Sequence, residues 1–288
     1  MPTPRTVARE IVPEPTMEGA GVKLNRLIAG RQIDWLDPFL LLDHFGSDDP
    51  ADYIKGFPMH PHRGIETVTY LLEGEIDHRD TTGSAGTIRS GGVQWMTAGG
   101  GLLHEEMPRK VDGRLEGFQL WVNLPARLKM SKPRYQEFDA GRIPTVRRDD
   151  GTLIKVIAGE TDGVRGAVGE IAMQPTYLDV QLAPGARFEQ PVPNGHAAFA
   201  YLYRGAGQFG LDATGAGAEI AAPRLAVLGD GDSFAAVAGP EGARFLLVSG
   251  APTREMIARY GPFVMNTRAE LAQAINDLDA GNFVWRER

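Results

Sequence analysis

Short runs in which apolar and polar residues alternate, each closed by Gly, Pro, Asp or Asn, recur along almost the whole chain. A period of two places alternate side chains on opposite faces, as in strands with one face buried, and leaves little room for helices. Runs of this kind are Phe39–Leu42, Glu66–Leu72, Thr87–Ile88, Val93–Met96, Leu115–Asn123, Tyr177–Leu182, Ala198–Tyr203, Leu225–Leu228 and Arg244–Val248. In GFQLWVNL, Phe118, Leu120 and Val122 share one face while Gln119, Trp121 and Asn123 share the other. The 36 glycines and 20 prolines suit a turn-dense β protein. Only TRAELAQAINDLDAG predicts a helix, with Thr267 as N-cap, Glu270 completing a capping box and Gly281 as the stop. The pattern predicts an all-β sandwich or barrel with a short C-terminal helix.

A loose repeat accounts for the length. YLLEG (Tyr70–Gly74) returns as YLYRG (Tyr201–Gly205), and in that register Phe57 falls on Phe188 and Gly64 on Gly195. His60 and His62 fall on Pro191 and Pro193, and Glu66 on Ala197. Further on, Ala98-Gly99 resembles Ala238-Gly239, which sets His104 against Arg244 and Glu106 against Leu246. The repeat predicts two β-domains of one design, with ligand-type side chains in the first alone. PARLKMSKPRYQEFDAGRIPTVRRDD reads as the connection. The expected domains are residues 1–135, carrying the site, and 136–288, without metal ligands and ending in the helix.

Several classes of function are excluded. A formal charge of −7 gives no electrostatic pull toward nucleic acid or an anionic membrane. With no cysteine, disulfides, thiolate metal sites and cysteine nucleophiles are ruled out. MPTPRTVAREIVPEPT lacks the apolar core of a signal peptide, and no run approaches the roughly 20 apolar residues of a membrane span. A cytoplasmic protein is expected.

The chemistry concentrates in two stretches. FPMHPHRGIETVTYLLEG puts His60 and His62 at i and i+2, on one side of a strand, with Glu66 in register to join them if no bulge intervenes. GGGLLHEEMP puts His104 and Glu106 at the same spacing beside a glycine turn. If these strands face each other, three imidazoles and a carboxylate converge, a donor set for a first-row divalent metal with positions left for water or substrate. Pro61 suits an edge strand or a bulge. Glu105 has the opposite parity and should point away. His44, His78 and His196 read as ordinary histidines, and Trp95, Met96 and Trp121 as core or pocket wall.

HPHRGIETVTYLLEG, QWMTAGGGLLHEEMP and FQLWVNLP together resemble the pirin family of the cupin superfamily. The likeness continues in LDPFLLLDHFG, AGPEGARFLLVSGAP and YGPFVMNTRAEL, and covers about residues 20 to 280. It implies a bicupin of two facing antiparallel jelly-roll barrels, with one metal ion, Fe(II) foremost, in the first and a vestigial second. Carried over residue by residue, the ligands are His60, His62, His104 and Glu106. The later carboxylate replaces the general cupin one, and Glu66 stays open as an alternative.

Two functions are implied. One is a quercetin 2,3-dioxygenase, which opens a flavonol with O2 and releases carbon monoxide, with Glu106 as general base and Phe57, Met59, Trp95 and Trp121 as candidate substrate walls. The other is a metal-dependent regulator that binds protein partners without turnover. An isomerase acting on a sugar phosphate fits least, because Arg63 is the only basic residue adjacent to the ligands in sequence.

Overall fold

The computed structural model describes residues 2–110 and 113–287. Strands dominate it, and Arg268–Asp279 is the one α-helix among the described residues. No helix among them is long and apolar enough to cross a membrane. Thr267 and Glu270 close a reciprocal capping box at the helix start. The predicted run Leu115–Asn123 is a strand from end to end. Others extend further than their alternation. Ala198–Tyr203 lies within Ala197–Phe209 and Arg244–Val248 within Ser233–Gly250. The RGAG of Arg204–Gly207 reads as a turn in sequence, yet the pairing continues through it by register shifts at Leu202/Arg204 and Gly205/Gly207.

The chain forms two compact units, Glu14–Ala140 with Thr253–Arg288 and Met1–Pro13 with Gly141–Pro252. A linear division at residue 135 is therefore corrected. The connection does fall near that point, but both ends of the chain cross over. The C-terminal helix, expected to end the second domain, belongs to the first. Arg63, 3% exposed, explains the capture. Its guanidinium donates to the carbonyls of Gly100 and Phe283, each at 2.8 Å, and to Asp277 of the helix at 2.6 Å. A buried guanidinium requires all of these acceptors, and the C-terminal segment supplies two of them.

Within the first unit, seven strands form one antiparallel sheet, in the order Arg134–Phe138, Val93–Thr97, Ile65–Glu73, Leu115–Asn123, Phe39–Ser47, Val22–Ile28, Glu14–Glu18. Four more, Phe57–His62, Leu102–Pro108, Glu75–Asp80 and Ala85–Arg89, form a second. Leu24, Phe45, Leu71 and Leu115 from the larger sheet pack with Ile76 and Ile88 from the smaller. Full burial of each such side chain contributes about 1.5–3 kcal/mol, so the two sheets close on one core.

The second unit builds one nine-stranded sheet system on the same plan. Its Arg187–Pro191 strand pairs with the beginning of Ser233–Gly250, Pro191 opposite Ser233 and Phe188 opposite Ala236. In the first unit the corresponding pairs are His60 opposite His104 and Phe57 opposite Glu106. With Phe57 set on Phe188 as in the repeat, these pairings place His104 and Glu106 against Ser233 and Ala236, where the alignment through Ala98-Gly99 set them against Arg244 and Leu246. The interior is filled with rings, Phe245 lying 5.2 Å from Phe209 and 5.7 Å from Phe188 between centroids.

Candidate metal centre

Phe57–His62 is the edge strand of the four-stranded sheet, where the missing N–H of Pro61 leaves no central ladder bond unmade. Its only strand neighbour in the sheet, Leu102–Pro108, sets His104 opposite His60. His60, His62 and His104 bring one ligand atom each within 4.8 Å of one another, the only such metal-type group among the described residues. Their rings are tilted or edge-on, with centroids 4.4–5.0 Å apart. His60 Nδ1 lies 2.9 Å from the Pro58 carbonyl, so it carries the proton and leaves Nε2 with a lone pair. That Nε2 is 3.0 Å from Nε2 of His62.

The donor set fits a metal. Two imidazole nitrogens each about 2.1 Å from one ion at right angles stand about 3.0 Å apart. His104 is 1% exposed, and neither of its nitrogens has a hydrogen-bond partner. Each unpaired buried group costs about 1–3 kcal/mol, and a cation at the point of convergence gives the inward-facing nitrogens a partner.

Burial, followed by the neighbouring His104 and His60, holds the His62 imidazole well below its ordinary pKa. Burial, followed by His60 and His78, does the same to His104. Both are neutral ligands at neutral pH. With folded pKa values depressed, the unfolded chain takes up these protons first as pH falls. The metal-free protein should keep this stability above about pH 6.5 and lose it progressively below. Thermal melts of chelator-treated protein between about pH 8 and pH 5 measure this; a flat profile would contradict neutral, buried imidazoles.

Glu106 projects from the same strand two residues on, with a register shift between it and His104 on the edge side and a regular ladder opposite Asp80 and His78 on the other. Its Oε1 accepts the Thr69 hydroxyl at 2.8 Å. Thr69 Oγ1 is also 2.8 Å from the side-chain amide of Gln119. A hydroxyl has one proton to give, so Thr69 donates to Glu106 when the Gln119 amide is turned to present its NH2, and otherwise the two oxygens share that proton. Glu106 lies outside the 4.8 Å group of imidazoles. Glu105 points away as its parity requires, into an ion pair with Arg79 at 2.5 Å.

Glu66 does not join the imidazoles. The chain turns at Gly64, φ +81°, and Glu66 stands in the other sheet opposite Thr97. Its Oε1 accepts the Thr97 hydroxyl at 2.7 Å, and burial pushes its carboxyl up. The i, i+4 parity failed because the two halves of the stretch are different strands. A Cβ at Gly64 would collide with the Val264 carbonyl oxygen. Lys129, 1% exposed, ties the same turn together through Gly64 O, Asn123 Oδ1 and Val264 O at 2.7–3.0 Å. Gly64→Ala is therefore expected to lower stability by about 2–4 kcal/mol and to weaken metal binding through His62. Denaturant unfolding and metal titration read the two effects, and wild-type behaviour in both would refute the account.

His60 and His62 line a cavity of about 480 Å³. Its walls are mainly apolar, from Val22, Leu24, Phe45, Phe57, Ile76 and Trp121, with Glu106, Thr69 and Gln119 beside the histidines. Phe57 and Trp121 thus line the cavity as expected. Met59 and Trp95 do not. Met59 alternates away from His60 and is 42% exposed, and Trp95 pairs with Val68 on the sheet face opposite to Thr69. Two arginines and Asp43, which sequence reasoning did not find, also line it. Arg26 grips both oxygens of Asp43 at 2.9 and 2.8 Å and Glu18 at 2.8 Å. Burial pushes the Asp43 carboxyl up despite that guanidinium. Of the remaining histidines, His44 lies 3.2 Å from Glu116 and His78 2.7 Å from Glu137. His78 occupies a buried position of the strand Glu75–Asp80.

Fold and site define a two-domain cupin whose first unit holds three convergent imidazoles able to take a metal ion. The Pirin family model matches residues 21–122 and that of the Pirin C-terminal cupin domain residues 177–284. A pirin-like protein of Caulobacter vibrioides is 46% identical over 97% of this chain and 99% of its own. Human pirin is 42% identical over 96% of this chain and 93% of its own. The crystal structure of quercetin 2,3-dioxygenase from Acinetobacter baumannii superposes with a TM-score of 0.88 at 36% identity, covering 98% of this chain and 99% of that one. The chain belongs to the pirin family.

Proposed function

We propose that the protein is a metal-dependent dioxygenase that cleaves a flavonol-like aromatic with O2 and releases carbon monoxide. His60, His62, His104 and Glu106 hold a divalent first-row ion, Fe(II) foremost. The observation that carries this reading is that three imidazoles converge, His62 and His104 buried and His104 without a hydrogen-bond partner, where His60, His62 and Glu106 line a mainly apolar cavity. The likeness to the crystallised quercetin 2,3-dioxygenase supports it.

When bound, the ion supplies a Lewis acid that lowers the pKa of a substrate hydroxyl and a centre at which O2 chemistry proceeds. Glu106 accepts the proton released from that hydroxyl. Thr69 orients the carboxylate by donating to Oε1, leaving Oε2 for the incoming proton. Phe57 and Trp121 take the flat rings, and the apolar wall of Val22, Leu24 and Ile76 keeps water from the ionised substrate.

The test is O2 consumption together with loss of quercetin absorbance, on protein of known metal content reloaded anaerobically with Fe(II). Turnover proportional to bound metal is expected. Absence of turnover at full occupancy would overturn the dioxygenase and favour a regulator that binds protein partners.

A further inference from the structure

Two guanidiniums line the cavity, and their hydrogen bonding differs. Arg26 gives Nε and Nη2 to Asp43 and Nη1 to Glu18, so its charge is fully matched. Arg259 donates Nη1 to the Leu40 carbonyl at 2.9 Å and makes only a long contact from Nε to Gly261 O at 3.4 Å. Its Nη2 has no partner, and among the described residues no carboxylate ion-pairs with it. The guanidinium carbon lies 5.0 Å from the centre of the Trp121 ring. Trp121 in turn meets His62 edge-on at 5.0 Å between centroids. Those two spans end to end bound the separation of guanidinium and imidazole, within reach of a fused or biaryl ring system.

Asp43, Glu18 and Asp34 act on this half-buried cation through space without ion-pairing with it, and its open donors are costly until an acceptor reaches them. Burial, and then Arg26, draw the Arg259 guanidinium below its ordinary pKa. Three carboxylates also line the cavity, each already accepting a hydrogen bond. Glu18 and Asp43 bind Arg26, and Glu106 Oε1 binds Thr69. The open donor in the cavity wall is Arg259, set over an aromatic face.

We propose that Arg259 determines specificity: laid over Trp121, it receives an anionic oxygen, carboxylate or phenolate, carried by a planar aromatic substrate whose far end reaches the imidazoles. The proposal rests on the cavity being the substrate site, and it does not depend on which reaction follows.

The test compares 2-naphthoate with 2-naphthamide, nearly equal in shape and different in charge, binding anaerobically to Fe(II)-loaded protein by calorimetry. Any affinity of the carboxylate for the metal is common to wild type and variant. The ratio of the two affinities is expected to fall about 10- to 100-fold in Arg259→Gln, the range for a charge-assisted hydrogen bond. Arg259→Lys, which keeps the charge, should recover part of it. A ratio unchanged in Arg259→Gln overturns the proposal. So does a wild type that binds both probes equally or fails to bind naphthoate. If Arg259→Gln does not fold, the wild-type ratio and the lysine variant still decide. No arm requires turnover, so a failed dioxygenase assay leaves this result readable.

Discussion

His104→Leu is expected to leave the protein folded and without its metal. His104 is 1% exposed, and both of its ring nitrogens lack protein partners. It is also the one imidazole supplied by the second strand, directly opposite His60. Without it, the remaining imidazoles are the neighbours His60 and His62, joined by a 3.0 Å contact on one edge strand. Loss of an outer partner of a metal ligand typically weakens affinity 10–100-fold, and loss of a ligand should exceed that. Dialysed wild type should retain about one ion per chain, the number one donor cluster can hold, and the variant almost none, with turnover lost in parallel.

Stability should move the other way. In the metal-free state a buried leucine replaces two unpaired nitrogens, and denaturant unfolding is expected to show a gain of about 1–3 kcal/mol over metal-free wild type. A residue placed there for packing would instead give a loss. Metal retained at wild-type stoichiometry in the variant would remove His104 from the ligand set.

Glu106→Gln separates catalysis from metal binding. Glutamine keeps the shape of the side chain, and its amide oxygen can still accept the Thr69 hydroxyl that now bonds Oε1 at 2.8 Å. Three imidazoles remain to hold the ion. What disappears is the negative charge and the capacity to take a proton. General-base catalysis contributes about 10²- to 10⁴-fold, so kcat on quercetin should fall by that factor while most of the metal stays bound. Turnover close to wild type would show that the substrate proton leaves by another route. Loss of the metal along with activity would make Glu106 chiefly a ligand.

Both predictions concern residues that were legible in the sequence, for a physical reason. Strand side chains at i and i+2 share a face, so His60/His62 and His104/Glu106 announce two pairs of aligned donors wherever the strands go. The capping box at Thr267 and Glu270 was equally legible, because its hydrogen bonds lie within four residues. Glu66 shows where the same reasoning stops. Parity holds only within one strand, and the left-handed turn at Gly64 sends Glu66 into the other sheet. Trp95 and Met59 failed for a related reason: sequence gave their bulk and alternation, and the face that becomes a cavity is fixed by which sheet packs on it.

Local order along the chain therefore determined the all-β character, the terminal helix and the two donor pairs. Tertiary structure alone decided that His104 stands opposite His60, that residues 253–288 return to the first unit, and that Arg259 comes to rest over Trp121, 138 positions before it in the sequence. Spacing fixes the direction of a side chain relative to its near neighbours. Adjacency between distant strands is set by burial of a shared core and by the need of buried charges such as Arg63 for acceptors, and neither is a property of any short stretch.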